Sequence, residues 1–451
     1  MNTSCFKAYD IRGRVPDDLN PDLARRIAYA YAKVFNPANI VVGRDIRLTS
    51  ELFADAVMQG LQLAGVNVFD LGLCGTENVY HATASLRLDG GIMVTASHNP
   101  MDYNGLKLVT KGARPVGVET GLKDIQAMIE DDDMTLPSEM SGQRSSLDVW
   151  DAYVEHLLSY IDISTLKPLK IVANPGNGGA GLVVERIEKA LPFEFVHMDF
   201  EPDGNFPNGV PNPLLPKNQG RTSAMVRESG ADLGIAWDGD YDRCFLFDET
   251  GSFVNGYYLM GLIATELLNQ SPGQKIVYDP RLTWNTIAAV EEAGGIPVIS
   301  KTGHSYIKKV MRDQDAIYGG EISGHHYFKA FAYCDSGMIP WLLVTAMLSR
   351  IERPLSELLK DYQARFPASD EINQRIENPE KIIRLAEQAF GPLASKVEHI
   401  DGLSVEFEDW RFNLRMSNTE PLLRLNVESR LSDDHLNDMI EEVTTFIDKN
   451  A

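Results

Sequence analysis

Three short apolar runs rich in β-branched residues recur along the chain, each closed by a polar loop bearing glycine or proline: NIVVGRD from Asn39, KIVANPG from Lys170 and KIVYDPR from Lys275. Such runs predict strands. Longer stretches with apolar residues at helical spacing accompany them, ELFADAVMQGLQLAG from Glu51, AGLVVERIEKAL from Ala180 and YYLMGLIATELLN from Tyr257, and these predict helices. The alternation is that of parallel α/β units, and the likeness of the three runs predicts one α/β domain used repeatedly. Polar breaks fall at EDDDMTLPSEMSGQRSS from Glu130, DETGSFVNG from Asp248 and ARFPASDEI from Ala364. They suggest segments 1–146, 147–250, 251–366 and 367–451. Beyond the last break the period shortens to alternating strands, WRFNLRM and LLRLNVES, between helices, which predicts a smaller α+β domain.

Length and composition agree with a multidomain globular protein: 451 residues, 44% of them hydrophobic, suffice for three or four buried cores. The most apolar stretch, MIPWLLVTAML from Met338, is broken by Pro340 and too short to span a bilayer, and MNTSCFKAYD lacks the basic and apolar regions of an export signal. The four cysteines, Cys5, Cys74, Cys244 and Cys334, lie far apart without a CxxC pair, so a reducing cytoplasm is expected. A formal charge of −22 argues against nucleic acid and anionic membrane as partners. It leaves room for a small anion only where basic side chains are gathered locally.

Loops leaving the carboxyl ends of strands are where ligands collect in α/β sheets, and four of them carry chemistry. TASHNPMDYNGLK follows the strand-like GGIMV from Gly90. Its Ser97 can be a turn residue before Pro100, or can carry phosphate, which would require a cation and donors such as His98 and Lys107. A GxSxG elbow is absent, so acyl transfer has no support. In WDGDYDRCFLF, Asp238, Asp240 and Asp242 alternate between two strand-like runs, a solvated acidic turn or the seat of a hard divalent cation. A calcium loop fails, because its sixth position is Arg243 where glycine is required. Arg243 and Lys107 are placed to balance the charge of a phosphoserine beside three aspartates. GGEISGHHYF gathers Glu321, Ser323, His325 and His326; zinc is conceivable, but adjacent histidines on a strand point apart, and the set suits sugar hydroxyls better. RMSNTEP from Arg415 is a strand connection whose arginine and backbone N–H groups could hold phosphate. A rival from another class is NPGNGGAG, where Gly176, Gly178 and Gly181 with Asp199 meet the dinucleotide-binding spacing. Asn174 and Pro175 intrude on it, and it leaves the serine and aspartate loops unused.

Taken together, YDIRG, TASHNPMDYNGLK, DGDYDR, KTGHSYIK, GEISGHHYF and RMSNTEP resemble, in order and over nearly the whole chain, the α-D-phosphohexomutase family, most closely its bacterial phosphomannomutases. The resemblance implies α/β architecture: three similar mixed-sheet α/β domains plus a smaller C-terminal α+β domain around a central cleft, each contributing a loop. It implies that Ser97 is the phosphoserine, with His98 and Lys107 in acid–base and charge roles. Asp238, Asp240 and Asp242 would bind Mg²⁺ together with a Ser97 phosphate oxygen. Glu321, Ser323 and His325 would hold sugar hydroxyls, Arg415, Ser417, Asn418 and Thr419 the idle phosphate, and Arg12, Arg243, Arg281 and His304 would line the cleft.

The implied reaction interconverts mannose 6-phosphate and mannose 1-phosphate through a hexose 1,6-bisphosphate that turns end for end while a mobile fourth domain clamps its idle phosphate. The product would supply GDP-mannose synthesis. Three positions depart from relatives: Tyr241 where many have a small residue, Arg281 where several have lysine, and Ile322 where methionine is common. Phosphoglucomutase, phosphoglucosamine mutase, an NAD-dependent oxidoreductase and a non-catalytic sugar-phosphate binder remain as alternatives, and a monomer or dimer is open.

Overall fold

The helical patterns end where their caps say they should. Helix Pro21–Phe35 starts at Asn20, whose side chain accepts from Leu23 N, has proline in its first turn, and stops at Asn36 in the left-handed conformation. Helix Pro379–Phe390 uses Asn378 the same way and buries Ile382, Ala386 and Phe390 along one stripe. The structure, a computed structural model, describes residues 3–131, 134–416 and 422–451.

Chain contacts divide the molecule into two units, residues 1–253 with 324–352, and residues 254–323 with 353–451. The expected segment 251–366 therefore contributes to both.

The first unit holds two mixed sheets. In one, Asn39–Arg44 lies parallel to Asn67–Leu73 and Gly90–Val94, while Tyr103–Thr110 runs antiparallel to Gly90–Val94 and to Ile11–Arg14. In the other, Lys170–Asn174 is parallel to Leu233–Trp237 and Glu194–His197, and Cys244–Phe247 turns back antiparallel on Leu233–Trp237. Each sheet thus adds one reversed strand to the parallel units, the mixed pattern expected. The reversals matter, because the serine loop (95–102) and the aspartate loop (238–243) are the connections into them. Every residue of Gly90–Val94 and Leu233–Trp237 is buried, which fixes the point at which each loop leaves its sheet. The hairpin His326–Phe328 with Cys334–Asp335 and the apolar helix Ile339–Ile351 complete this unit. That helix has 13 residues, and among the described residues no helix is long and apolar enough to cross a membrane.

In the second unit Lys275–Tyr278 pairs in parallel with Ile296–Ile299 and Tyr318–Gly320. A separate antiparallel sheet runs in the order Ile372–Arg375, Leu422–Ser429, Trp410–Met416, Leu403–Glu406, Lys396–Glu398. Its buried Leu414, Leu425 and Val427 pack with the helices Pro379–Phe390 and Asp433–Asn450, as the α+β expectation for the tail required. Glu428, fully buried, accepts from the backbone N–H groups of Thr283 and Trp284 at the start of helix Trp284–Glu292 and from Arg411 Nη1 at 2.5 Å. A carboxylate at a helix N-terminus is favoured by the dipole there, so this contact ties the tail sheet to that helix.

Candidate active site

The serine loop and the aspartate loop meet. Ser97, buried and at φ 48°, donates from Oγ to Asp238 Oδ2 at 2.6 Å, and the same oxygen is 3.0 Å from His98 Nδ1. The backbones are close enough that a Cβ at Gly239 would stand 2.6 Å from Ser97 O, so only glycine fits there. Lys107, on the reversed strand Tyr103–Thr110, places Nζ 2.6 Å from Asp240 Oδ2 and within hydrogen-bonding reach of Asp242 Oδ2. Thr76 Oγ1 donates to Asp240 Oδ2 at 2.6 Å. Arg243 N donates to Asp238 Oδ1 at 3.3 Å, and its buried Nε makes no hydrogen bond among the described residues.

The electrostatics are those of crowded carboxylates. Burial, and then Asp242 and Asp240, push Asp238 up to about 7. Burial also works against the charge of Asp240, yet Lys107 beside it wins and holds that carboxyl well below the usual range. Burial opposes the Lys107 ammonium as well, but Asp240 and Asp242 hold it above its ordinary value. His98 is kept well below the usual histidine range by burial, with Arg243 and Arg12 adding to the effect, so its ring is neutral.

Asp238, Asp240 and Asp242 each present an oxygen within 4.8 Å of the others. Asp240 Oδ1 and Asp242 Oδ1 are buried acceptors without a hydrogen-bond partner among the described residues. An all-oxygen set with orphaned lone pairs and excess negative charge fits a hard divalent cation. His325 Nδ1 lies 3.0 Å from Asp335 Oδ2 and 4.0 Å from Asp242 Oδ1, a second donor group that shares Asp242. His326 is turned into the core of its strand, where burial first and then His325 push it down to about 3.

Arg12 donates to Asp10 Oδ2 at 2.7 Å and to Asn99 Oδ1 at 2.6 Å, which puts it against the serine loop. In the second unit, Glu321 Oε1 accepts from Gly303 N at 3.0 Å and its Oε2 from Ser323 Oγ at 2.8 Å. This joins the KTGH and GEIS loops and sets His304 at the start of helix His304–Gln314. Arg281 forks onto Asp279 through Nε at 2.9 Å and Nη2 at 2.8 Å, a two-point grip that lysine could not make. Arg415 Nη2 is 2.5 Å from Glu371 Oε2. Ser417, Asn418 and Thr419 lie outside the described residues.

Several residues of this site have no motif to announce them. Arg47, buried with Asp45, donates to the carbonyls of Ser97, Asn99, Pro100 and Tyr103 at 2.5–3.0 Å and so holds the serine loop from beneath. Glu77, fully buried, accepts from Tyr153 Oη at 2.8 Å, Ser336 Oγ at 2.6 Å, Gly337 N at 2.7 Å and Met338 N at 3.1 Å, while burial raises its carboxyl to about 8. Gly337 in turn lies so close to the aspartate loop that a Cβ would be 2.5 Å from Tyr241 O. Tyr241 itself, the unusual residue of that loop, is fully buried with its hydroxyl on Asn78. The ring has room because Gly75 and Gly179 lack side chains, where a Cβ would be 2.1 and 2.9 Å from ring carbons.

Close packing also accounts for the dinucleotide-type glycines: Gly176 has φ 60° with Pro211 2.6 Å from where a Cβ would stand, and a Cβ at Gly181 would be 2.5 Å from Phe200 O. Gly179 N donates to Gly239 O at 3.1 Å, and a Cβ at Gly178 would be 3.0 Å from that oxygen. Their loop is thus pressed on the aspartate loop. Asp199 bonds Arg221 and Asn208. The spacing answers a packing need, and the oxidoreductase reading gives way.

Descriptions of the phosphoglucomutase/phosphomannomutase α/β/α domains I, II and III match residues 3–135, 151–251 and 255–366, and that of the C-terminal domain matches 371–446. The chain belongs to the phosphoglucomutase/phosphomannomutase family. A phosphomannomutase of Salmonella typhimurium is 56% identical over 433 residues, 95% of each chain. A protein of Xanthomonas campestris pv. campestris described as phosphohexose mutases is 53% identical over 447 residues, 99% of this chain and 100% of its own. A crystal structure of a phosphoglucomutase/phosphomannomutase family protein from Burkholderia thailandensis superposes with a TM-score of 0.90 at 34% identity, covering 100% of this chain and 98% of that one. The family fold of α/β domains followed by a distinct C-terminal domain is the one described above, and its members are enzymes that move phosphate within a sugar.

Proposed function

We propose that the protein is a phosphomannomutase that interconverts mannose 6-phosphate and mannose 1-phosphate in the cytoplasm, with Ser97 as the phosphoryl carrier. The observation that carries this reading is the 2.6 Å contact of Ser97 Oγ with Asp238, beside a lysine-bridged pair of further aspartates. A hydroxyl so placed stores a phosphoryl group where cations can balance it.

In the first half-reaction the free hydroxyl oxygen of the sugar phosphate attacks the phosphorus on Ser97, the bond from phosphorus to Oγ breaks, and a hexose 1,6-bisphosphate results. After reorientation Ser97 Oγ attacks the other phosphoryl group and the bond to the sugar oxygen breaks. The serine proton must leave as the new bond forms. His98 Nδ1, neutral and 3.0 Å from Oγ, takes that proton, and the departing sugar oxygen receives one in its place. In the first half-reaction the sugar hydroxyl loses a proton and Ser97 Oγ gains one. Arg243 Nε and Lys107 Nζ supply donors and positive charge to the transferring group, where positioning and electrostatics carry most of the catalysis. Asp238, Asp240 and Asp242, with an oxygen on Ser97, would hold Mg²⁺, which when bound neutralises charge on the phosphoryl oxygens. Glu321, Ser323 and His325 take the sugar hydroxyls, Arg12, Arg281 and His304 line the path of the substrate, and Arg415 with Ser417, Asn418 and Thr419 holds the phosphate at rest.

The test is a coupled assay with mannose 1-phosphate, glucose 1-phosphate and glucosamine 1-phosphate, each with a trace of the bisphosphate, on wild type and Ser97→Ala. Turnover of the mannose compound that falls by at least about 10³-fold in the variant supports the proposal. Turnover of only the glucose or glucosamine compound replaces the substrate, and equal inactivity of both proteins replaces the enzyme by a binder.

A further inference from the structure

Arg415 and Arg424 stand directly opposite each other on the antiparallel strands Trp410–Met416 and Leu422–Ser429. Like charges so paired repel, and the Glu371 carboxylate lies between them. Glu371 Oε2 is 2.5 Å from Arg415 Nη2, Oε1 is 3.2 Å from Arg424 Nη1, and Arg281 Nη1 lies 3.9 Å from Oε2. Three guanidinium groups thus converge on Glu371, with Arg281 held at the same time by Asp279. The balance is incomplete: Arg415 is buried, burial and then Arg281 hold its pKa below the ordinary arginine value, and its Nε has no hydrogen-bond partner among the described residues. Glu371 keeps 23% of its side chain exposed, so it has a route out to water, whereas Arg281 and Arg415 at 5% and 8% do not.

We propose that Glu371 is an internal surrogate for phosphate: its carboxylate fills the cradle of Arg281, Arg415 and Arg424 until the idle phosphate of a sugar phosphate displaces it. The proposal rests on the reading of Arg415 as a phosphate ligand and adds Arg424 to that site. A phosphate dianion brings more charge and a third acceptor oxygen, enough to reach the donor that a carboxylate leaves unmatched. The surrogate has two effects. It keeps three like charges gathered before substrate arrives, which preorganises the cradle, and it competes with phosphate, which weakens the grip on a bisphosphate that has to let go and turn around.

Titration calorimetry of the full-length, Mg²⁺-loaded protein with inorganic phosphate tests this. Glu371→Gln is expected to bind phosphate about tenfold more tightly than wild type, and its melting temperature to rise more on adding phosphate. Combining it with Arg424→Ala is expected to remove the gain. Phosphate affinity in a folded Glu371→Gln protein that is equal to or weaker than wild type overturns the proposal, as does a gain that survives the second substitution. Should Glu371→Gln not fold, Glu371→Asp, whose carboxylate is withdrawn by one methylene, must show a smaller gain of the same sign, and no gain overturns the idea. Absence of mutase turnover in wild type would instead remove the functional reading and leave this comparison standing.

Discussion

Ser97 Oγ donates to Asp238 Oδ2 at 2.6 Å across 141 residues of sequence. Two strand-ending loops from different sheets are thereby joined at the atom that the proposed chemistry uses. The surrounding charges follow from that contact, since three carboxylates gathered near one hydroxyl need Lys107 and Arg243 close by.

Lys107 is the cation that holds Asp240 and Asp242 together. Replacing it by methionine keeps the stem and removes the charge, leaving buried carboxylates uncompensated at a cost of about 3–5 kcal/mol. Thermal melts in chelator and in Mg²⁺ check this: Lys107→Met is expected to melt lower than wild type in chelator and to regain more on adding Mg²⁺. Equal Mg²⁺ shifts would count against the trio as a cation site.

Arg47 acts on the serine loop only through four backbone carbonyls. Lysine offers three donors from one point and cannot span them. Displacement of a reacting atom by an ångström costs about 10²-fold, so Arg47→Lys is expected to lower kcat by that order with KM little changed, and to speed hydrogen exchange of amides 97–103. An unchanged kcat with faster exchange would separate the loop's order from the reaction.

Gly75→Ala is expected to destabilise the fold by about 1–3 kcal/mol through overpacking, because the new methyl would meet the Tyr241 ring at 2.1 Å. Gly75 has φ −113°, which alanine adopts freely, so the ring alone causes the cost. Urea unfolding of Gly75→Ala in the wild-type and Tyr241→Ala backgrounds checks it; the penalty should vanish in the second.

His81 is pushed down to about 4 by burial first and His156 second, and His326 to about 3 by burial first and His325 second. Between the ordinary histidine value near 6.5 and these lowered values, the unfolded chain takes protons that the folded one refuses. Stability is therefore fully present above about pH 6.5 and falls as pH drops toward 4, by up to about 1.4 kcal/mol per pH unit for each ring. Urea unfolding between pH 7.5 and 4.5 measures the slope. His81→Asn should make it shallower, and an identical slope would assign the acid lability to other groups.

The strands Asn39–Arg44, Lys170–Asn174 and Lys275–Tyr278, the serine and aspartate loops and the tail sheet were legible because each rests on local signals: β-branched runs, punctuating glycine and proline, and polar residues crowded where a strand ends. Arg47, Glu77 and Glu371 were not. Their partners lie far away in sequence, and an acid such as Glu77 in the first turn of helix Thr76–Ser85 reads locally as an ordinary favourable charge near a helix start. Only burial and the donors from Tyr153 and Ser336 reveal its position. The glycines at 176, 178 and 181 erred the other way. Their spacing was visible, but its causes, the approach of Pro211 to Gly176, of Gly239 to Gly178 and of Phe200 to Gly181, are tertiary facts.

The Glu77 contacts also bear on how the chain comes off the ribosome. Three of the four groups that satisfy this carboxylate, in Ser336, Gly337 and Met338, are translated 259 to 261 residues after it. At roughly 5–20 residues per second the nascent N-terminal region waits tens of seconds with an unsatisfied acid at a position destined for the interior, and it cannot settle into its final packing until the later segment emerges.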